Sequence, residues 1–170
     1  SKIKNTLINW DLSSNKDNIN AALPIIAFDN LLSMNKDDIK NDMIIQQLSI
    51  SASYLIEHFN AINIEWGQVN RIIRGDVNEP LDGAPDVPRA IYTTDYKNGQ
   101  RKAIAGDCYI LIANWAENGT VSSQSIHQYG SSTSNVESKH YNDQVKLFST
   151  NKLKDISIYL DDIAKDIKSI

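Results

Sequence analysis

The stretch GDCYILIANWAENGTVSSQSIHQYGSS, residues 106–132, decides the fold class because its pattern is that of two β-strands joined by a turn. An apolar run ends shortly before Asn118-Gly119, and a second run of β-prone residues follows. Asn-Gly favours the two-residue turns whose twist matches antiparallel strands. A second such pair, Asn98-Gly99, lies between the strand-like runs AIYTTDY and RKAIAGD. We therefore expect three or four antiparallel strands between residues 89 and 129.

Apolar spacing upstream of these hairpins predicts two helices. The first begins near Asn20 as its N-cap, which places Pro24 in the first turn, where its missing N–H is not needed. The second covers residues 42–59, and Asn60 closes it in the left-handed conformation. Its apolar face consists of Ile44, Leu48, Ala52, Leu55 and Phe59.

The remaining segments complete a prediction of an α+β fold. VNEPLDGAPDVP, residues 77–88, holds three prolines and a glycine and is expected to be an irregular loop. Residues 130–143 are polar and predict a long loop. A short strand at residues 156–159 and a helix, LDDIAKDIKSI, follow. We expect a single domain or a fragment, helical over 1–65, sheet-forming over 66–154, and ending in a strand and helix over 155–170.

Composition and charge limit the classes of partner. The 170 residues are 41% hydrophobic and 22% charged, which is typical of a globular domain. The formal net charge is −4, and the sequence shows no cluster of Lys and Arg that could bind phosphates. The sequence also shows no apolar run long enough to span a bilayer. We therefore expect neither a nucleic-acid partner nor a membrane partner.

The single cysteine and the three tryptophans are predicted to serve the core. Cys108 lies in the apolar run CYILIANW, so we interpret it as a small buried hydrophobic residue. One cysteine excludes an intrachain disulfide and a four-cysteine metal site. Trp10, Trp66 and Trp115 are most simply core anchors.

The segment SKHYNDQ, residues 138–144, offers three alternatives. Ser138, His140 and Asp143 could form a nucleophilic triad, although no strained G-x-S-x-G turn carries the serine; Ser125 is a second candidate nucleophile. His127, His140 and Asp143 could instead bind a metal. The interpretation we favour is a polar loop whose side chains satisfy its own backbone groups.

The proline-rich segment carries charged residues with two alternative roles. Calcium could be bound by Asp76, Glu79, Asp82 and Asp86. Because their spacing matches no EF-hand, we favour a solvated loop. Arg71 and Arg74 could contact an anion, but we favour ion pairs between these arginines and the acidic loop.

Residues 66–153 resemble the C-terminal part of the penicillin acylase (penicillin amidase) family. The matching pieces, in the order of the family, are WGQVNRIIRGD (66–76), GAPDVPRAIY (83–92), the opening stretch (106–132) and HYNDQVKLFSTNKLK (140–154). The most specific element is a loop of glycine and small residues followed by H-Y-x-D-Q. We call residues 130–144 the signature loop; its matched positions are Gly130, His140, Tyr141, Asp143 and Gln144.

The resemblance implies a segment of the four-layer αββα fold of N-terminal nucleophile hydrolases. Such enzymes are exported, so the resemblance implies a periplasmic location. The N-terminal serine of their large (beta) subunit attacks an amide carbonyl, with its own α-amino group as base. The substrates implied are side-chain amides of β-lactam antibiotics, acyl-homoserine lactones or lipopeptides.

The resemblance assigns no catalytic residue to this segment. Ser1 is followed by Lys2-Ile3-Lys4 rather than by the asparagine of the family, and the oxyanion asparagine lies upstream of the matched region. The partners implied are the small subunit and the N-terminal part of the large subunit. No cofactor is expected in the segment, and calcium only in the full enzyme. The alternative is a free-standing, non-catalytic binding or scaffold domain of the same architecture.

The signature loop is expected to brace the core or to shape one wall of the acyl cleft. An excised segment of this kind would leave apolar surface and strand edges uncovered, so we also expect self-association.

Overall fold

The computed structural model describes residues 1–167, which form a mixed α+β chain, as predicted. The backbone divides into two compact units. The first comprises Ser1–Ile73 and Asn78–Gly106, and the second comprises Arg74–Val77 and the chain from Asp107 onward. In the part of the chain that is described, no helix is both long and apolar enough to cross a membrane.

The first unit contains four α-helices and a four-stranded sheet. The helices are α1 (Lys2–Asn9), α2 (Ala22–Asp29), α3 (Asn41–Phe59) and α4 (Trp66–Val69). The strands are β1 (Asn70–Arg74), β2 (Val77–Pro80), β3 (Ile91–Asp95) and β4 (Arg101–Gly106), in the order β2-β1-β4-β3. β1 pairs parallel to β4, and β3 pairs antiparallel to β4.

The core of the first unit forms around α2. Residues 22–27 of this helix are all buried, so the helix is apolar on every side, as expected for a helix enclosed by its neighbours. Pro24 lies in the first turn, as predicted. Asn20 does not cap the helix: the N-cap position is Ala21, without a side-chain hydrogen bond. The amide of Asn63 instead donates to the side-chain oxygen of Asn20 (3.0 Å), and packing holds the first turn of α2.

Helix α3 confirms the predicted amphipathic face. Leu48, Ala52 and Leu55 are buried against α2, while Ile44 and Phe59 pack at the margin of the same cluster. Asn60 ends the helix with φ 59°, the left-handed conformation that the sequence predicts.

Trp66 anchors the short helix α4 in the same core. It is 1% exposed, and its indole N–H donates to the carbonyl of Gly83 (2.8 Å). The next residue must be small, because a Cβ on Gly67 would lie 2.7 Å from that of Pro80 and 2.9 Å from that of Lys16. The Trp-Gly pair thus brings three segments of the chain together.

The segment predicted as an irregular loop after Gly75 begins with a strand, so that part of the prediction is wrong. β2 lies at the edge of the sheet beside β1, and Gly75 supplies a positive φ of 62° in the turn between them. Pro80 is compatible with β2 because an edge strand leaves one row of backbone groups unpaired.

Both predicted hairpins are present, with connections longer than two residues. Tyr96 N donates to Gln100 O (2.8 Å), and Ala116 N donates to Thr120 O (2.9 Å). These bonds leave residues 97–99 and 117–119 in the turns. Gly99 and Gly119 are the last residue of each turn, with φ of 73° and 82°. The Asn-Gly pairs therefore indicate the hairpins correctly but form the three-residue class of turn.

The second unit is built on a three-stranded antiparallel sheet. Its strands are β5 (Tyr109–Trp115), β6 (Val121–His127) and β7 (Lys154–Ile156), in the order β5-β6-β7. β7 begins two residues before the predicted strand at 156–159. The helices are α5 (Val145–Ser149) and α6 (Leu160–Asp166), and residues 168–170 of the predicted terminal helix lie outside the described residues.

The core of the second unit is small and leaves β5 exposed. Ile126 on β6 and Val145 and Phe148 on α5 are buried. Cys108 is exposed and Trp115 is 74% exposed, so both predictions of burial are wrong. The reason is that β5 ends its sheet and most of its side chains stay exposed among the described residues, so an apolar run does not ensure burial. Of the other tryptophans, Trp66 is buried as predicted and Trp10 packs at the margin of the core of the first unit.

Candidate functional site

The signature loop connects β6 to α5 and is closed at its base by main-chain hydrogen bonds. Gln144 N donates to Tyr129 O (2.8 Å), and Ser132 N donates to His140 O (3.0 Å). Residues 130–143 contain no helix or strand, as predicted for a long polar loop. The two bonds bring the glycine at its start next to the histidine near its end.

Gln144 is the buried member of the loop, with 7% of its surface exposed. Its side-chain oxygen accepts a hydrogen bond from His127 N, the last residue of β6 (3.1 Å). Its carbonyl accepts from Phe148 N (2.9 Å) in the first turn of α5. One residue thus ties the strand to the helix, and its removal would leave a backbone N–H without a partner.

Gly130 occupies a position that only glycine can fill. A Cβ there would overlap the carbonyl oxygen of His140 and lie 2.6 Å from Oδ1 of Asp143. The backbone φ of Gly130 is not positive, so glycine is required here by the lack of space for a side chain and not by the backbone conformation. The close approach of the two loop ends explains the glycine at the start of the signature loop.

His140 and Asp143 form a pair, but no triad follows from it. His140 Nδ1 lies 2.8 Å from Asp143 Oδ2, and the two side chains are 51% and 37% exposed. The hydroxyl of Ser138 accepts a hydrogen bond from the main-chain N–H of His140 (3.2 Å). A nucleophilic serine would need its hydroxyl directed at the imidazole, and the described hydrogen bonds of Ser138 do not include one.

The structure does not bring the candidate metal ligands His127, His140 and Asp143 together into one site. Over residues 1–167, the structure contains no group of three or more His, Cys, Asp and Glu side chains suited to a metal ion. The ring of His127 packs on Tyr109, with 4.9 Å between centroids, while His140 binds Asp143. The loop therefore offers neither the nucleophile nor the ligand set that the sequence left open.

Arg74 contacts the signature loop from the turn after β1, a role that the sequence interpretation did not give it. Its guanidinium lies 4.1 Å from the ring centroid of Tyr141 and 4.8 Å from that of Tyr129. Nη2 donates to the carbonyl of Thr133 (2.7 Å). A cation between two aromatic faces joins the beginning and the end of the loop. Arg74 belongs to the stretch IIRGD in one of the matched motifs, but no residue near it in sequence indicates that it contacts Tyr141.

Asn142 adds a second connection to the same turn. Its side-chain N–H donates to Asp76 Oδ1 (2.9 Å) and to the carbonyl of Arg74 (3.4 Å). Gly75 lies beneath Tyr141, since a Cβ there would be 3.3 Å from the ring. The turn at residues 74–77 is thus held by the second half of the signature loop.

The acidic residues considered for calcium have separate roles. Asp82 is buried and accepts a hydrogen bond from Lys16 N (2.7 Å), which contradicts the interpretation as a solvated loop at that position. Asp86 accepts from the hydroxyl of Tyr92 (2.6 Å), and this hydrogen bond raises the pKa of Tyr92. Asp76 binds Asn142, as described above.

The predicted ion pairs between the arginines and the acidic loop are wrong. Arg71 donates to Asn78 Oδ1 (2.7 Å) and to the carbonyl of Gly67 (2.8 Å), which are neutral acceptors. Burial lowers the pKa of Arg71, and the Glu79 carboxylate opposes that shift. Arg74 binds the carbonyl of Thr133 and the two tyrosine rings. Within the described chain neither arginine forms a salt bridge.

Ser1 has a structural contact at the start of α1. Its hydroxyl accepts a hydrogen bond from Lys4 N (3.4 Å), as an N-cap residue does. The sequence interpretation gave Ser1 no catalytic role, and this contact adds none.

A family model described as penicillin amidase matches residues 5–165. None of the curated proteins gives a match to the chain. The matched range contains the Trp-Gly anchor, both hairpins and the whole signature loop, and the α+β architecture is consistent with a fragment of the N-terminal nucleophile hydrolase fold. The chain therefore belongs to the penicillin amidase family.

Proposed function

We propose that this chain is the C-terminal segment of the large subunit of an amide hydrolase, whose nucleophile lies outside it. One observation supports the proposal. Although the family match covers residues 5–165, the serine, histidine and aspartate of the signature loop form hydrogen bonds within the loop itself and do not form a triad. The glycine, glutamine and arginine contacts of the loop hold chain segments together and leave no activated nucleophile.

The chemistry proposed for the complete enzyme is attack by an N-terminal serine on an amide carbonyl. Its α-amino group takes the proton, and backbone and asparagine donors stabilise the oxyanion. In this scheme the present segment contributes scaffold. The signature loop braces the core or forms one wall of the acyl cleft, and the residues that select the acyl group belong mainly to the rest of the enzyme.

The finer features of the parent enzyme follow the family. Its substrates are side-chain amides of β-lactams, acyl-homoserine lactones or lipopeptides. It is exported to the periplasm, any calcium site lies outside this segment, and its partners are the small subunit and the N-terminal part of the large subunit. These are proposals that rest on the family membership of the chain.

An activity assay on the purified chain tests the absence of a nucleophile. A panel of chromogenic amides with aromatic and aliphatic acyl groups should be hydrolysed no faster by the chain than by buffer. Hydrolysis that is lost in Ser138→Ala, and retained in the control Ser131→Ala, would contradict the proposal and revive the triad.

A second candidate is a free-standing binding or scaffold domain. The observation in its favour is that each unit has a buried core of its own, around Trp66 in one and Phe148 in the other. An immunoblot of the source cells with antibody against this chain separates the two candidates. A band well above 19.1 kDa supports the enzyme segment, whereas a band at 19.1 kDa supports the free-standing domain.

A further inference from the structure

Three glycines of the chain follow an asparagine or an aspartate, in the pairs Asp82-Gly83, Asn98-Gly99 and Asn118-Gly119. Such a pair can modify itself, because the backbone nitrogen of the glycine can attack the side-chain carbonyl carbon of the residue before it. Glycine favours this attack, since it has no side chain to obstruct the approach and its backbone rotates freely. The sequence alone does not rank the two Asn-Gly pairs, whereas their surroundings in the structure differ.

Asp82-Gly83 is held by another segment of the first unit. Asp82 is buried, and its Oδ1 accepts a hydrogen bond from Lys16 N (2.7 Å). Gly83 N donates to Ser14 O (2.9 Å). The two groups that would react are therefore both bonded to residues distant in sequence, and the backbone cannot rotate to bring them together unless the core opens. This pair should be inert in the folded chain.

Asn98-Gly99 is fixed through its glycine. Asn98 is exposed, but Gly99 is buried. The carbonyl of Gly99 accepts a hydrogen bond from the hydroxyl of Tyr54 (2.9 Å), and a Cβ on Gly99 would overlap the side chain of His58 and lie 3.0 Å from the ring of Phe59. Opening this turn would break the hydrogen bond from Tyr54 and separate the glycine from the end of α3.

Asn118-Gly119 has no such restraint within the described chain. Apart from its own neighbours in the chain, no atom lies within 4 Å of the position that a Cβ on Gly119 would take. Residues 114–120 are all exposed. Gly119 N donates to Ala116 O (2.9 Å) within the turn itself, and water can replace that bond when the turn opens. Rotation about the backbone of this pair is therefore easy.

The side chain of Asn118 is also held close to the nitrogen that would attack it. Its Oδ1 accepts hydrogen bonds from Thr120 N (3.0 Å) and from Thr120 Oγ1 (2.7 Å). These bonds fold the side chain back along its own backbone, as in other Asx turns. The Gly119 nitrogen lies between the two bonded residues in the chain, so Cγ of Asn118 stays beside it. Proximity of this kind favours an intramolecular attack.

We propose that Asn118 is a site of self-modification in this chain. The Gly119 nitrogen attacks Cγ of Asn118 and forms the new C–N bond of a succinimide ring. The bond from Cγ to Nδ2 breaks, and Nδ2 leaves as ammonia with the proton that the Gly119 nitrogen loses. Water then opens the ring at either carbonyl and leaves aspartate or isoaspartate. The inference concerns the chain itself and does not rest on the proposed function.

The products change the charge and the backbone of the turn. Either product places a carboxylate beside Glu117 and adds one negative charge to the formal net charge of −4. Isoaspartate also adds one carbon atom to the main chain within residues 117–119. The bond from Ala116 N to Thr120 O closes this turn, so the isoaspartate form should fray at that end of the hairpin.

Peptide mapping by mass spectrometry, during incubation of the folded chain at mildly alkaline pH, measures each site separately. Asn118 should react at least about tenfold faster than Asn98, because opening the turn at Asn98 also costs the hydrogen bond from Tyr54 and the packing of Gly99. No isoaspartate should form at Asp82.

The same incubation in concentrated urea shows whether the fold makes the difference. In the unfolded chain both Asn-Gly pairs lose their contacts, so Asn98 and Asn118 should react at similar rates. A folded chain that modifies Asn98 as fast as Asn118, or faster, would overturn the proposal. So would a folded chain in which Asn118 does not react although it reacts in urea.

A single variant tests the restraint on the slower site. Tyr54→Phe removes the hydrogen bond to Gly99 O, so it should raise the rate at Asn98 about fivefold and leave the rate at Asn118 unchanged. The matched control is Tyr96→Phe, which should change neither rate. Circular dichroism confirms that both variants fold. Equal acceleration at Asn98 and Asn118 in Tyr54→Phe would contradict the proposal, because the contacts of Gly99 would then not explain the difference.

Discussion

The two units of the chain differ in how they treat apolar sequence. In the first, Trp66 is enclosed by helices and strands and is 1% exposed, whereas in the second Trp115 is 74% exposed. Both belong to motifs that matched the family at the level of sequence. In the first unit, Trp66 packs in one cluster with α2 and the 19-residue helix α3, while in the second unit the helix that packs against β6, α5, has five residues. Burial of a tryptophan thus depends on which other segments pack over it.

The most severe test of this comparison is to remove each tryptophan in turn. Trp66→Ala should lower the free energy of unfolding by about 3–5 kcal/mol, because it leaves a cavity and removes one of the two N–H donors to the Gly83 carbonyl, the other being the side chain of Asn70. Trp115→Ala should lower it by no more than about 0.5 kcal/mol. Urea denaturation followed by circular dichroism, at a concentration where the chain is monomeric, measures both. Equal losses would show that the two environments are alike.

Within the second unit, the close contact at Gly130 should be the most sensitive point of the signature loop. Gly130→Ala should cost about 1–3 kcal/mol of unfolding free energy, because the added methyl group overlaps His140 O and approaches Asp143. Ser131→Ala, at the adjacent exposed position, should change the value by less than about 0.5 kcal/mol. Thermal unfolding of the pair gives the difference, and a neutral Gly130→Ala would mean that the loop ends are not in contact.

In the first unit, Tyr54 offers a smaller effect that depends on pH. Its hydroxyl donates to Gly99 O (2.9 Å), and burial, with help from the Asp95 carboxylate, raises its pKa above 10.0. Tyr54→Phe should cost about 1 kcal/mol at neutral pH. The wild-type contribution is fully present below the pKa of the unfolded state and is lost as pH rises through the higher folded value. The variant should therefore lose less stability above about pH 10.

The control for this pH effect is Tyr96→Phe, because no hydrogen bond of the Tyr96 hydroxyl occurs within the described chain. Denaturation curves from pH 7 to pH 11 compare the three proteins. An identical alkaline loss in wild type and Tyr54→Phe would contradict the assignment.

His140 should give the smallest change in stability. Its pair with Asp143 is partly exposed, so His140→Ala should cost less than about 1 kcal/mol, and its main-chain bond to Ser132 persists. In the full-length enzyme, turnover per folded molecule should fall less than stability does. Melting temperature and turnover, measured on the same preparation, decide this. A loss of turnover at an unchanged melting temperature would assign His140 to catalysis instead of bracing.

Local rules predicted much of the fold correctly. The spacing of α3, the left-handed Asn60 and the Asn-Gly hairpins each depend on residues close in sequence, which the chain alone displays. The same is true of the long loop, whose polar residues form neither helix nor strand. The matched loop residues do lie together. Those of H-Y-x-D-Q are close in sequence, and the loop folds back so that Gly130 at its start meets His140 and Asp143.

The predictions that were wrong or incomplete have a different physical origin. The place of Arg74 between Tyr129 and Tyr141 depends on residues far apart in the chain, and no local pattern encodes it. Val77–Pro80 forms a strand because the neighbouring β1 offers a partner, which overrides the local preference of proline-rich sequence. Asp82 is buried because Lys16 N reaches it.

By itself, the amino-acid sequence determined the kinds of elements, the positions of the turns and the family to which the chain belongs. These follow from backbone preferences and residue spacing, which act over a few positions. Only the tertiary structure decided that Trp66 is covered while Cys108 and Trp115 are not, and that Ser138 serves a backbone N–H instead of an imidazole. Coverage and side-chain direction depend on which distant segments arrive at a site, and that is settled by packing.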